Sequence, residues 1–124
     1  MREFGDLEAV IMERVWKWHH AASVREMLDD LAVERRIAYT TVMTVMDNLY
    51  RKGWLTRELV GKAYRYRPVS SRQEYSAELM RQVLAGSGDE MATLLRFVDR
   101  MTDLEASAVS DALQGRRRPD RYEP

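Results

Sequence analysis

The chain has 124 residues, of which 45% are hydrophobic and 32% charged, with 20 Lys and Arg balanced by 20 Asp and Glu and no cysteine. That length suits one domain, or one small domain plus an appendage that needs a partner to bury its apolar face, and it is too short for most multi-domain enzymes. The lack of cysteine excludes disulfide scaffolds, zinc fingers, iron–sulfur clusters and thiol switches.

The segment from Met1 to Leu7 lacks the apolar core of a signal peptide. The longest uncharged stretch, Ile37 to Met46, falls far short of the roughly 20 residues of a membrane span, so a cytoplasmic location without membrane insertion is expected. Asp6 is placed to cap a first helix whose Leu7, Ile11, Met12, Val15 and Trp18 cluster at helical spacing. Ser23 with Glu26 has the spacing of a capping box, followed by Val24, Met27, Leu28 and Leu31 at i, i+3, i+4 and i+7. A third stripe, Val42, Val45, Met46 and Leu49, ends at Gly53, the usual residue past a helix C-terminus.

Beyond Gly53 the period changes. Trp54 to Val60 and Ala63 to Pro68 are rich in β-branched and aromatic residues and flank Gly61-Lys62, which predicts a β-hairpin. Tyr64 and Tyr66 should turn to the core while Arg65 and Arg67 face solvent. Three helices followed by a basic hairpin is the order of a winged helix-turn-helix, with the third helix as recognition helix and the hairpin as wing. Three further capping-box candidates follow: Ser70 with Gln73, Ser87 with Glu90, and Thr102 with Glu105. Their helices carry stripes at Leu79, Val83 and Leu84, then Met91, Leu94, Leu95, Val98 and Met101, then Val109, Ala112 and Leu113. So little chain encloses little core, which predicts packing against a second copy. The expected fold is mainly α with a small β-hairpin wing: a winged helix-turn-helix over 1–70, a helical dimerisation region over 71–115, and a flexible basic tail over 116–124.

The zero net charge hides segregation. Residues 35–72 carry nine Lys and Arg against two Asp and Glu, whereas residues 1–34 carry four against eight and residues 73–115 three against eight. One basic block between acidic flanks is what a polyanion footprint requires, although an ordinary solvated face has the same composition.

If the third helix enters a major groove, Thr40, Met43, Thr44 and Asp47 lie on the side away from its core stripe, with Tyr39 and Thr41 at its N-terminal end. Thr hydroxyls adapt to several bases, and Thr and Met methyl groups suit a thymine methyl. With no Arg there to grip a guanine, the expected base contacts are Tyr39, Thr40, Thr41, Met43 and Thr44, supplemented by DNA shape. Expected phosphate contacts are Arg51 and Lys52 at the helix end, Lys62 at the wing tip, Arg65 and Arg67 on the wing, and Ser23 with the first amides of the second helix. His19-His20 lack a third ligand at a suitable spacing, so no metal is expected. Gly86-Ser87-Gly88 reads as a helix cap and loop, the eight Met residues as adaptable packing, and no catalytic constellation or cofactor site is present.

Gly5-Asp6-Leu7-Glu8 leading to Val15-Trp16, Ser23-Val24-Arg25-Glu26, Ala38-Tyr39-Thr40-Thr41-Val42-Met43-Thr44-Val45, Leu49-Tyr50-Arg51-Lys52-Gly53 and Tyr64-Arg65-Tyr66-Arg67-Pro68 together resemble the penicillinase-repressor (BlaI/MecI) family of winged-helix transcriptional repressors. The resemblance spans residues 5–113 and is greatest to actinobacterial members. It implies a non-enzymatic homodimeric repressor that binds palindromic DNA operators and responds to β-lactam or cell-wall stress. The implied dimerisation residues are Leu79, Val83, Met91, Leu94, Leu95, Val98, Met101, Val109 and Leu113.

In members governed by β-lactam sensors, a membrane sensor metallopeptidase triggers proteolysis in the C-terminal region. Staphylococcal members are cut between Asn and Phe, where this chain has Arg96-Phe97, the candidate cleavage site. Copper-responsive relatives use C-terminal cysteines, which this chain lacks. The alternative class is a winged-helix protein–protein interaction module that never touches DNA.

Overall fold

The computed structural model describes residues 4–116. Helix α1, Asp6–Lys17, buries Ile11, Met12 and Val15. Its cap is Gly5, with Asp6 as the first helical residue, one position from the expectation. The reason is Glu8, whose Oε1 reaches back to accept from the Gly5 N–H at 2.9 Å and places negative charge at the positive helix end. Strand β1, Ala22–Ser23, leads into α2, Val24–Leu31. Here the expected capping box forms: the Glu26 N–H donates to Ser23 Oγ at 3.1 Å, and the Ser23 N–H to Glu26 Oε1 at 3.0 Å.

Helix α3, Tyr39–Arg51, buries Val42, Met46 and Leu49. It ends in a Schellman motif: the Trp54 N–H donates to the Leu49 carbonyl at 2.9 Å and the Gly53 N–H to the Tyr50 carbonyl at 3.0 Å. The motif needs a left-handed residue, and Gly53 supplies it at φ +88°.

Strands β2, Leu55–Val60, and β3, Ala63–Pro68, pair antiparallel from Val60 opposite Ala63 to Leu55 opposite Pro68. The two-residue link has Gly61 at φ +66° and Lys62 at negative φ, the sign pattern of a II′ turn. Strand β1 adds to the other side of β3, giving the order β1-β3-β2. A two-residue strand carries no periodicity, so nothing in the sequence announced it.

Ile11, Met12, Val15, Met27, Leu31, Val42, Met46 and Leu49 are at most 1% exposed, and the hairpin base closes over them through Leu55 and Tyr66 at 2%. Burial of each such side chain contributes about 1.5–3 kcal/mol, which makes this three-helix contact the main stabilising feature of the head. The aromatic face of the hairpin reaches the core only at its base. Tyr64, expected to turn inward, is 41% exposed and lies against the Arg57 guanidinium instead of in the core.

A second cluster extends the head. Helix α4, Arg72–Ala85, places Tyr75 with ring centroids 4.9 Å from Phe4, 5.0 Å from Trp54 and 5.3 Å from Trp16. Trp16 Nε1 donates to the Ser70 carbonyl at 3.0 Å. The α4 cap is Ser71 with Glu74, at 3.0 and 2.8 Å, one residue beyond the expected Ser70 and Gln73. By contact, the chain divides into two compact units, one ending at Leu79 and one beginning at Met80. The first unit takes in Tyr75 with its aromatic cluster, while the boundary expected from the sequence falls at 70.

The second unit holds the end of α4, then α5, Glu90–Asp99, and α6, Asp103–Arg116. Asp89 caps α5 by accepting from the Ala92 N–H at 3.1 Å, whereas Ser87, the expected cap, donates its hydroxyl back to the Leu84 carbonyl at 2.7 Å. Thr102 and Glu105 form the expected box at 2.9 and 3.1 Å. Gly115 lies inside α6, which continues through Arg116, where the sequence suggested fraying. The rest of the expected tail lies outside the described residues. No described residue of this second unit is buried. No helix among the described residues is long and apolar enough to cross a membrane.

Candidate nucleic-acid interface

Helices α2 and α3 with the hairpin form the helix-turn-helix and wing. Because Val42, Met46 and Leu49 all point into the core, helical geometry turns Thr40, Met43, Thr44, Asp47 and Arg51 outward together. Thr40, Thr41, Met43 and Thr44 are exposed. Tyr39 is exposed too, with the Arg25 guanidinium 5.1 Å from its ring centroid. The five expected base-contacting residues are therefore on the surface of the first two turns of one helix.

The expected phosphate contacts separate into three kinds. Lys62 and Arg67 are exposed and make no ion pair among the described residues. Arg51 and Arg65 are exposed but tethered: Arg51 Nε binds Asp47 Oδ2 at 2.9 Å, and Arg65 Nη1 donates to Glu26 Oε1 at 3.3 Å. Lys52 is paired across the fold. Its Nζ lies 3.0 and 2.8 Å from the two oxygens of Glu8, whose side chain is only 12% exposed. Burial pushes the Glu8 carboxyl up, but Lys52 and the Gly5 N–H more than offset it and hold it below its ordinary value. Lys52 thus ties the end of α3 to the start of α1, a partnership across 44 residues that spacing along the chain cannot show.

Ser23 is engaged in the cap of its own helix. Its Oγ and its N–H are both engaged with Glu26, so the start of α2 already carries a carboxylate, and what Ser23 retains for a phosphate is its hydroxyl proton. The Ser23 N–H keeps the Glu26 carboxyl below its ordinary value against the effect of burial, helped by His20, whose Nε2 is 3.0 Å away, and by Arg65.

One basic residue of the site was not singled out by sequence. Arg57 stands opposite Tyr66 on the inward side of the hairpin, where a cation is unexpected. Its guanidinium lies 4.0 Å from the Tyr50 ring centroid and 3.9 Å from that of Tyr64, and its Nη1 donates to Asp47 Oδ1 at 3.0 Å. The available signal was parity, since Tyr64 and Arg57 occupy the same face of paired strands.

Most of the candidate dimerisation residues are likewise on the surface: Val83, Met91, Leu94, Leu95, Val98, Val109 and Leu113 are 39–64% exposed. Leu79, in the first unit, and Met101 are half-buried. Arg96-Phe97 lies within α5, with the Phe97 carbonyl accepting from the Arg100 N–H at 3.1 Å.

A family model described as penicillinase repressor matches residues 4–115. The chain is 38% identical over 116 residues to a protein described as transcriptional regulator BlaI in two strains of Mycobacterium tuberculosis, covering 91% of this chain and 84% of that protein. Among solved structures, it is similar to an ArsR-like transcriptional regulator from a Rhodococcus species, with TM-score 0.48 and 15% identity, covering 78% of this chain and 86% of that one. It is also similar to a MarR-like transcriptional regulator from Thermotoga maritima, with TM-score 0.45 and 16% identity, covering 90% of this chain and 73% of that one.

Proposed function

The chain belongs to the penicillinase repressor family, and from that premise we propose that it is a homodimeric, DNA-binding transcriptional repressor that recognises palindromic operators. The observation that carries this reading is the outward face of α3. An exposed row of Thr40, Met43 and Thr44 stands directly opposite a fully buried stripe, beside a wing that holds Lys62 and Arg67 ready for phosphate. Thr and Met read base edges and thymine methyls, with Tyr39 and Thr41 at the entry of the helix. Arg51 and Arg65 contact phosphate from their carboxylate tethers.

The C-terminal unit supplies the dimer. Its three helices expose their apolar stripes and enclose no core, which favours a second copy as the cover. Twofold symmetry then sets half-site centres about one helical turn, roughly 34–36 Å, or a multiple of it, apart. In the same reading the repressor answers β-lactam or cell-wall stress through a membrane sensor metallopeptidase. The Arg96-Phe97 bond lies in a hydrogen-bonded helix, so cutting it requires α5 to open first.

Electrophoretic shift with the segment upstream of the protein's own gene, against a shuffled segment of equal composition, tests the reading. Retention of the upstream segment at protein concentrations that leave the shuffled one unbound is the expected result. Equal or no retention of both, in low salt, would refute DNA recognition and leave the interaction-module alternative.

A further inference from the structure

The outer half of the wing has little to hold it in place. The hairpin base is anchored by Leu55 and Tyr66, but Leu59 and Val60 are 59% and 47% exposed, and an isolated two-stranded hairpin is marginal in water. Arg65 tethers the wing to Glu26 of α2, and a link from the wing to the recognition helix runs through Arg57. Its guanidinium is sandwiched between Tyr50 of α3 and Tyr64 of β3, and its Nη1 reaches Asp47 on the reading face. The other Asp47 oxygen holds Arg51 Nε, so one connected set of contacts runs Tyr64, Arg57, Asp47, Arg51. The Arg57 side chain is 21% exposed where that of Arg51 is 74% exposed, which suits a bracket better than a hand held out to phosphate.

We propose that Arg57 is a positioning residue that fixes the wing against the reading face of α3, and that it thereby sets how strongly the protein distinguishes its operator from other DNA. The inference rests on the DNA-binding reading above. The reason for arginine is geometric. A planar guanidinium stacks on two rings at once and still donates in its plane to a carboxylate, which an ammonium cannot do. With Arg57 in place the Asp47 carboxylate is neutralised and pinned. Without it, Asp47 keeps only Arg51, its other oxygen is open to a cytosine amino group on the groove-facing side, and the wing swings relative to the helix.

The test uses the full chain as Arg57→Ala and Arg57→Lys. Hydrogen exchange of wing amides is compared with that of α1 and α3, and binding is measured to the upstream segment and to shuffled DNA over a salt series. Both variants should exchange the outer wing amides about tenfold faster or more, with the helical core unchanged. Affinity for the upstream segment should fall by about tenfold or more, while shuffled DNA changes less than about twofold and the salt slope stays the same.

A general loss of stability would instead weaken both DNAs by one factor. A mere phosphate contact would weaken both and flatten the slope by about one unit. Either outcome overturns the proposal, as does wild-type behaviour of Arg57→Lys or unchanged wing exchange in Arg57→Ala. If the unsubstituted chain itself shows no preference between the two DNAs, it is the DNA-binding reading that fails, and the discrimination role of Arg57 fails with it. The exchange data then report on the bracket alone.

Discussion

The unburied C-terminal unit makes the most demanding prediction. On α5, Met91, Leu94, Leu95 and Val98 recur at i, i+3, i+4 and i+7, and Leu95 is 58% exposed. Complete burial of a leucine contributes about 1.5–3 kcal/mol, so covering the exposed fraction of Leu95 in a dimer contributes about 1–2 kcal/mol per copy. Leu95→Ala keeps the β-carbon and forfeits about 1 kcal/mol of that. A twofold interface counts the loss twice, about 2 kcal/mol, which weakens the dimer roughly 30-fold. Leu95→Asp also buries an unpaired carboxylate and should leave only monomer at micromolar concentration. Sedimentation equilibrium over a concentration series measures both. Because the unit has no core of its own, dissociation should also reduce helicity, read by circular dichroism on the same samples. If the unsubstituted chain sediments as a monomer with full helicity at every concentration, or if Leu95→Asp and Val98→Asp both dimerise with the original constant, the reasoning from exposed stripe to interface is wrong.

The remaining predictions divide the basic residues by the partners they keep. Lys62→Ala and Arg67→Ala should each reduce the slope of log affinity against log salt by about 0.9 for operator and shuffled DNA alike, with melting temperature unchanged. Lys52→Met strands the half-buried Glu8 carboxylate and should cost about 1–2 kcal/mol in urea unfolding. Unchanged stability would show that the Lys52–Glu8 pair does not support the fold. The carboxyls of Glu8, Glu26 and Glu74 titrate below their ordinary value of 4.5 in the folded chain, so the unfolded chain takes up protons first as pH falls. Their contribution is therefore complete above 4.5 and is lost as pH drops through the folded-state values, and Glu8→Gln should make the urea midpoint less sensitive to acid in that window. Tyr75→Ala opens the cluster of Phe4, Trp16 and Trp54 and should destabilise the first unit by about 2–3 kcal/mol, which a stop codon after Leu79 should not do.

The features legible in the sequence were those carried by residues three or four positions apart, or by a two-residue turn. Ser23 with Glu26, Thr102 with Glu105, the stripes of α1, α2 and α3, and the Gly61-Lys62 hairpin all formed as their spacing implied. The caps of α4 and α5 missed by one and two residues for a reason the spacing could not rank. Glu74 accepts from an orphan N–H more strongly than Gln73, and Asp89 caps more directly than Ser87.

Sequence by itself determined the winged-helix architecture, the outward face of Thr40, Met43 and Thr44, and the apolar stripes left without a core, because each follows from local periodicity and propensity. Only the tertiary structure decided which partner each cation meets. Lys52 meets Glu8, Arg65 meets Glu26 and Arg57 meets Tyr50, Tyr64 and Asp47, leaving Lys62 and Arg67 without such ties among the described residues. A charge on a chain is the same charge everywhere, and whether it supports the fold or waits for a phosphate depends on which carboxylate or ring the fold brings within a few ångströms of it.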